Sequence, residues 1–297
     1  MYSLLALLSG IVLTAMIQAD GELGARFGVY HAALYTHIVG VAFAALVLAA
    51  QRSRVAFSKK TPVWMYLGGV IGVLTTVFSN IAFLHISLTG IVALELFAQL
   101  VFSALIDVFG WLGMKRQDRA DISISGILLS LLGIALMAGD ASGDGMIYIL
   151  LALASGVTVV LSRIVNSHLA QQIGELQGSF VNHLAGMPFC LLLTAVIPES
   201  PEPSQYHLWA WGGGILGVMI VLLFNLTVPR LPACRLTLLS FSGQLFSGIL
   251  LDVLLNGTLN RRELAAGLLI SAGVALSRAS ALYKQRKRRE RSRAEIC

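Results

Sequence analysis

Long apolar stretches separated by short polar breaks run the length of this chain. Ten segments are predominantly apolar: 3–20, 30–50, 63–86, 88–112, 122–139, 146–167, 178–197, 208–229, 233–256 and 263–281. Barrel strands in a membrane alternate apolar and polar residues over about ten positions. These segments do not alternate, and each runs for about twenty residues, the length an α-helix needs to cross hydrocarbon. Helices also satisfy their own backbone where no water is available. The predicted fold class is therefore an all-α polytopic membrane protein with ten transmembrane helices. The connections are short. The third and fourth segments are parted by only His85 to Ser87, and the eighth and ninth by Pro229-Arg230-Leu231-Pro232, which cannot continue a helix. Met1 to Ala19 lacks the basic start of a signal peptide and reads as a retained first helix.

The pattern repeats. Leu-Leu-Ala-Leu-Leu-Ser-Gly at 4–10 returns as Leu-Leu-Ala-Leu-Ala-Ser-Gly at 150–156. The same register pairs Leu23 with Leu169, Gly28 with Gly174, His37 with His183 and Gly40 with Gly186. A register shorter by one residue then pairs Trp64 with Trp209, Gly68-Gly69 with Gly213-Gly214, Gly72 with Gly217, Asn80 with Asn225, Gln99 with Gln244 and Asp107 with Asp252. Polar and glycine matches inside apolar helices carry more information than leucine matches. The chain thus divides into a first five-helix repeat (1–140), a second (141–283) and a basic tail (284–297). Five is odd, so the second repeat is expected to lie upside down relative to the first. Inverted repeats of this kind build many secondary transporters, with the solute site between the halves. A duplicated scaffold is the plain alternative.

Composition agrees with a bilayer as the solvent. Hydrophobic residues make up 57% of the chain and charged residues 12%, with a mean hydropathy of +0.81. A soluble domain carries about twice that charged fraction. The net charge of +6 comes mostly from Lys284 to Arg293. A basic run after an apolar helix reads as a cytoplasmic anchor facing anionic lipid, not as a nucleic-acid surface. With both termini inside, the inner connections hold Arg52, Arg54, Lys59, Lys60, Lys115, Arg116, Arg119, Arg230 and Arg235. The outer ones hold Arg26, Arg261 and Arg262 beside Asp140, Asp144, Glu199 and Glu202. That bias predicts a cytoplasmic-membrane protein with both termini cytoplasmic. Cys190, Cys234 and Cys297 form no CxxC pair and suggest neither a disulfide framework nor a metal site.

Several motifs resemble the drug/metabolite transporter superfamily, and within it the branch of YdcZ-like inner-membrane exporters. They are Ser9-Gly10 early in the repeat, Gly-Gly-x-x-Gly at 68–72, and Gln-Leu-x-x-Ser-x-x-x-Asp at 99–107, echoed as Gln-Leu-x-x-Gly-x-x-x-Asp at 244–252. The resemblance covers essentially the whole chain apart from the tail. It implies an exporter-like role in a cytoplasmic membrane and no particular solute. Many members of that branch are single five-helix chains, and this one looks like a fused pair. It departs from the branch at the end of the first helix of each repeat. A frequent Gln-x-x-x-Asn there becomes Met16 and Asp20 in one copy and Ser162 and Asn166 in the other. His37 and Glu95 also depart from the pattern.

The candidate solute- or proton-binding residues are the polar ones inside the spans: Glu95, Gln99, Gln244, His37, His183, Asn80, Asn225 and Ser240. Glu95, Gln99, Ser103 and Asp107 follow i, i+4, i+8, i+12 spacing and share one helix stripe, which must face other helices or a wet cavity. A carboxylate at that depth is costly unless paired, hydrated or protonated. Glu95 has Ser240 as its counterpart, an asymmetry that suits a substrate-specific residue. The symmetric histidines can shuttle protons or simply hydrogen-bond. Asn80 and Asn225 are expected to brace helices near the pathway, and Asp107 and Asp252 to cap or pair near helix ends. Arg163 and Arg278 are placed near cytoplasmic helix ends, where long side chains snorkel. Gly68, Gly72, Gly213 and Gly217 form small-xxx-small faces. Trp64, Trp111, Trp209 and Trp211 read as interfacial anchors.

These features predict a non-enzymatic secondary transporter or exporter of a small organic solute. No ATP-binding motif is present, so the drive is a proton or solute gradient. No cofactor and no metal are implied. The partners are the solute and membrane lipid. The fused repeats suit a monomer and leave a homodimer open. The rival readings are a membrane scaffold or receptor, and a membrane-embedded enzyme, for which no convincing catalytic spacing exists.

Overall fold

The computed structural model describes residues 1–55, 61–116, 143–200 and 205–255 continuously, with isolated positions between 128 and 136 and between 257 and 286. Eight α-helices lie in the continuous stretches. In chain order they are α1 (Tyr2–Phe27), α2 (Val29–Ala50), α3 (Gly68–Phe83), α4 (Leu88–Phe109), α5 (Gly143–Ile173), α6 (Glu175–Val196), α7 (Gly213–Thr227) and α8 (Ala233–Leu254). Short 3-10 turns precede α3 and α7, at Val63–Leu67 and Leu208–Gly212. Counting those turns, all eight are long and apolar enough to cross a membrane. The segments 122–139 and 263–281 are described only at scattered positions, and Arg278 and most of the basic tail lie outside the described residues.

Helix ends follow local chemistry. Ser87 caps α4, its hydroxyl accepting from the Gly90 N–H at 3.1 Å. Gly110 ends α4 in the left-handed conformation, φ 68°, with its N–H on the Ile106 carbonyl. Gly28 and Gly174 each form a one-residue hinge, between α1 and α2 and between α5 and α6, with φ of 98° and 104°. A side chain would strain that backbone, so glycine is required at both equivalent positions.

Two expected boundaries are corrected. The first helix runs to Phe27 rather than residue 20, and α5 runs to Ile173 rather than 167. At the first of these boundaries the polar residues are buried and partnered. Asp20 is 1% exposed and accepts from Thr36 Oγ1 at 2.7 Å; Glu22 accepts from the backbone N–H of His207 at 3.0 Å.

The most extensive helix contacts all join the first half of the chain to the second. α1 packs on α8 and α7, α5 on α4 and α3, α2 on α6 and α7, and α4 on α8. Glycines set the closest approaches, and they do so in equivalent pairs. A Cβ on Gly10 would overlap the Ser240 carbonyl of α8, and one on Gly156 the Glu95 carbonyl of α4. A Cβ on Gly69 would overlap the Asn182 carbonyl, and one on Gly214 that of Thr36. Small residues at such crossings are the usual means of packing helices in lipid, where no hydrophobic drive brings them together. Leu13, Ile17, Val92, Val160, Leu223 and Leu236 belong to the largest apolar core, shared by both halves. Leu46, Leu192, Phe246 and Leu250 are exposed, as lipid-facing positions are.

Candidate functional site

A cavity lies between the halves, walled by α1, α2, α3, α5, α6 and α7. About 70 Å³ is open to the centres of water-sized molecules. One water needs roughly 10–15 Å³ by the same measure, so the space holds more than one. Fourteen of its seventeen wall residues fall into seven repeat-equivalent pairs: Leu13/Val159, Met16/Ser162, Thr36/Asn182, His37/His183, Gly72/Gly217, Thr75/Ile220 and Thr76/Val221. The three without a counterpart on the wall are Arg163, Asn166 and Phe224, all from the second half. Met16 and Ser162 are among the positions where the sequence departs from the exporter pattern.

The histidines sit midway along α2 and α6 with ring centroids 5.4 Å apart. His37 Nδ1 donates to the Ala33 carbonyl at 2.8 Å, and His183 Nδ1 to the Ser179 carbonyl at 2.9 Å. A carbonyl only accepts, so hydrogen bonding assigns the proton of each neutral ring to Nδ1 and leaves Nε2 as an acceptor. Each ring occupies room left by the other half's glycine. A Cβ on Gly186 would meet His37 Nε2 at 2.5 Å, and one on Gly40 would meet His183 Nε2 at 3.0 Å.

Arg163 corrects an expectation. It does not snorkel at a helix end, because α5 continues to Ile173; the side chain is 2% exposed on the cavity wall. Its Nη2 donates to Thr237 Oγ1 at 2.6 Å and to Ser103 Oγ at 2.9 Å, while its guanidinium carbon stands 5.6 Å from the centre of the Phe224 ring. One turn along, Asn166 Nδ2 donates to Asn182 Oδ1 at 2.7 Å, where the first half has Thr36 donating to Asp20.

Of the eight residues singled out in the sequence, His37 and His183 reach this wall. The other six do not line it. Glu95 is fully buried where α3, α4 and α5 meet; its Oε1 accepts from Ser79 Oγ at 2.6 Å and Ser155 Oγ at 2.7 Å. At the equivalent place Ser240 meets Ser9, Oγ to Oγ at 3.0 Å. Gln244 Nε2 reaches Ser240 Oγ at 3.4 Å, and the Gln99 amide is buried without a hydrogen-bond partner. Asn225 Nδ2 donates to the Glu175 carbonyl at 2.9 Å, tying α7 to the start of α6, whereas Asn80 makes no hydrogen bond through its amide. Asp107 accepts the Ala233 and Cys234 N–H groups at the start of α8, and Asp252 accepts Thr89 N–H at the start of α4. Each aspartate therefore caps the fourth helix of the other half. Asp107 also lines a second pocket of about 320 Å³ with Lys115, His168 and Arg230.

Thr36, Asn182, Arg163 and Asn166 were not singled out as site residues in the sequence. Their signal was present. Arg163 stands where the first repeat has Ile17, in the middle of an apolar run. Among the described residues, no group of three or more histidine, cysteine or acidic side chains could hold a metal ion.

The profile of a family described as "Putative inner membrane exporter, YdcZ" matches residues 1–136 and again 147–276. No curated protein matches the chain in sequence. A solved structure described only as "Crystal structure of protein" is similar in fold, with a TM-score of 0.66 at 18% identity over 94% of this chain and 98% of that one.

Proposed function

Because the chain belongs to the YdcZ family of inner-membrane exporters, whose profile it carries twice, we propose that it moves a small organic solute across the inner membrane by alternating access about the central cavity. The observation that carries this reading is the cavity's pairwise wall: the two halves line one space with equivalent residues. Two repeats of opposite sense exchanging roles around such a space would open it to either side in turn. On this reading the repeats are 1–140 and 141–283, each of five helices, and both termini are cytoplasmic. A proton or solute gradient supplies the drive. His37 and His183 in the wall and Glu95 behind it are the titratable groups through which protons would couple.

Gly72 provides the test. A Cβ there meets Ser162 Oγ at 3.5 Å and Asn182 Oδ1 at 3.8 Å, ordinary contacts, so a longer side chain enters the cavity without disturbing backbone. In proteoliposomes loaded with radiolabelled amines, amino acids and organic acids, the wild type is expected to release at least one solute. Gly72→Leu is expected to fold and to lose flux by more than tenfold. Equal flux in Gly72→Leu would move the pathway elsewhere. A folded wild type that releases nothing would favour a receptor or scaffold.

A further inference from the structure

We propose that the central cavity is selective for organic monoanions, with Arg163 binding the carboxylate of a small acid whose apolar body lies against Phe224. This deepens the transporter reading and rests on it for its physiological meaning. Arg163 is 2% exposed and forms part of the cavity wall. Its guanidinium remains charged at any physiological pH and offers five N–H donors. The donors on Nη2 are used on neutral acceptors, Thr237 Oγ1 at 2.6 Å, Ser103 Oγ at 2.9 Å and the Ala233 carbonyl at 3.5 Å. Nε and Nη1 have no hydrogen-bond partner. A buried cation with idle donors is unfavourable unless an anion or water meets it.

The protein does not place that anion in the cavity. No described wall residue is acidic. Asp107 acts on Arg163 electrostatically, but its carboxylate oxygens cap α8 and it lines the second pocket. Asp20 is not among the wall residues; it accepts from Thr36, and its counterpart on the wall is the neutral Asn166. The histidines, protonated on Nδ1, offer neutral Nε2 acceptors. A carboxylate guest supplies both the missing acceptors and the missing charge. An amine guest would meet a guanidinium of like charge. A monoanion matches one cation, and the Phe224 face, with Leu13, Met16, Val159, Ile220 and Val221 on the same wall, suits an apolar body.

The test uses benzoate, benzyl alcohol and benzylamine as near-isosteres of different charge, titrated calorimetrically into the full-length protein in phosphatidylcholine nanodiscs. The wild type should bind benzoate at least tenfold tighter than either of the others. Arg163→Gln should bring benzoate down to the level of benzyl alcohol, and Arg163→Lys should retain part of the preference. Should Arg163→Gln fail to fold, Asn166→Asp places a competing carboxylate one turn along the same helix face; it should cut benzoate affinity at least tenfold and leave benzyl alcohol unchanged. Equal affinities for the three probes, no measurable benzoate binding to the wild type, or a benzoate preference that survives both Arg163→Gln and Asn166→Asp would overturn the proposal. Flux is a separate readout. Anion-selective binding without flux of any solute would retain the site and remove the transporter, whereas flux of amines without anion selectivity would do the reverse.

Discussion

At the scale of single residues, Glu95 illustrates how a membrane interior manages a carboxylate. It is fully buried, and its Oε1 is held by two serine hydroxyls from neighbouring helices, Ser79 and Ser155. The equivalent place in the other half holds the smaller pair Ser9 and Ser240. Glu95→Gln keeps the shape and an oxygen able to accept from the serines, so the expected cost in stability is under ~1 kcal/mol. Under the coupling role proposed above, the variant should insert and fold normally but lose the pH dependence of flux in proteoliposomes. An unchanged pH profile would make Glu95 part of a structural seam and leave coupling to His37 and His183.

Among elements, the crossings of α1 with α8 and of α4 with α5 are built on glycines. Cβ atoms on Gly10 and Gly156 would run into backbone carbonyls, which cannot rotate away as a side chain can. Gly10→Ala and Gly156→Ala must therefore push helices apart, with an expected loss of ~1–3 kcal/mol each. Gly72→Ala, whose nearest new contact is 3.5 Å away, should stay within ~0.5 kcal/mol of the wild type. Thermal denaturation in a single detergent would rank the three variants. A Gly10→Ala protein as stable as Gly72→Ala would contradict the close crossing. The reciprocal capping by Asp107 and Asp252 belongs to the same scale, because each joins the end of one fourth helix to the start of the other.

For the whole molecule, the proposed orientation puts the turn before α7 outside and the end of α2 inside. Gln205 and Gln51 are both exposed in those places. In a background without native cysteines, Gln205→Cys should react with an impermeant maleimide in intact cells, and Gln51→Cys only after the membrane is opened. The opposite pattern would reverse the topology. At the end assigned to the outside, His31 meets Glu199 at 2.8 Å and His207 meets Glu22 at 3.0 Å, each joining the two halves. The halves are thus tied at their crossings, by their reciprocal helix caps and at one end of the bundle, while they share the cavity between them.

Hydropathy is a local property, and the sequence by itself determined what depends on local properties. The apolar runs identified all eight helices of the continuous described stretches, the glycine and polar matches revealed the duplication, and Gln-Leu-x-x-Ser-x-x-x-Asp pointed to the family. Helix ends were less legible, because Asp20 and Glu22 look like stops until Thr36 and His207 are seen to bury them. Which polar residues converge was decided only by tertiary packing. His37 and His183, a whole repeat apart, face each other because glycines of the opposite half make room for both rings. Glu95, the most conspicuous charge in the sequence, is turned into a helix contact instead. Arg163 becomes the one permanently charged side chain on the described cavity wall because α5 runs past it and α4, α7 and α8 close around it. A span's hydropathy records that such a residue is buried; the direction it faces depends on how helices far apart in sequence rotate and cross.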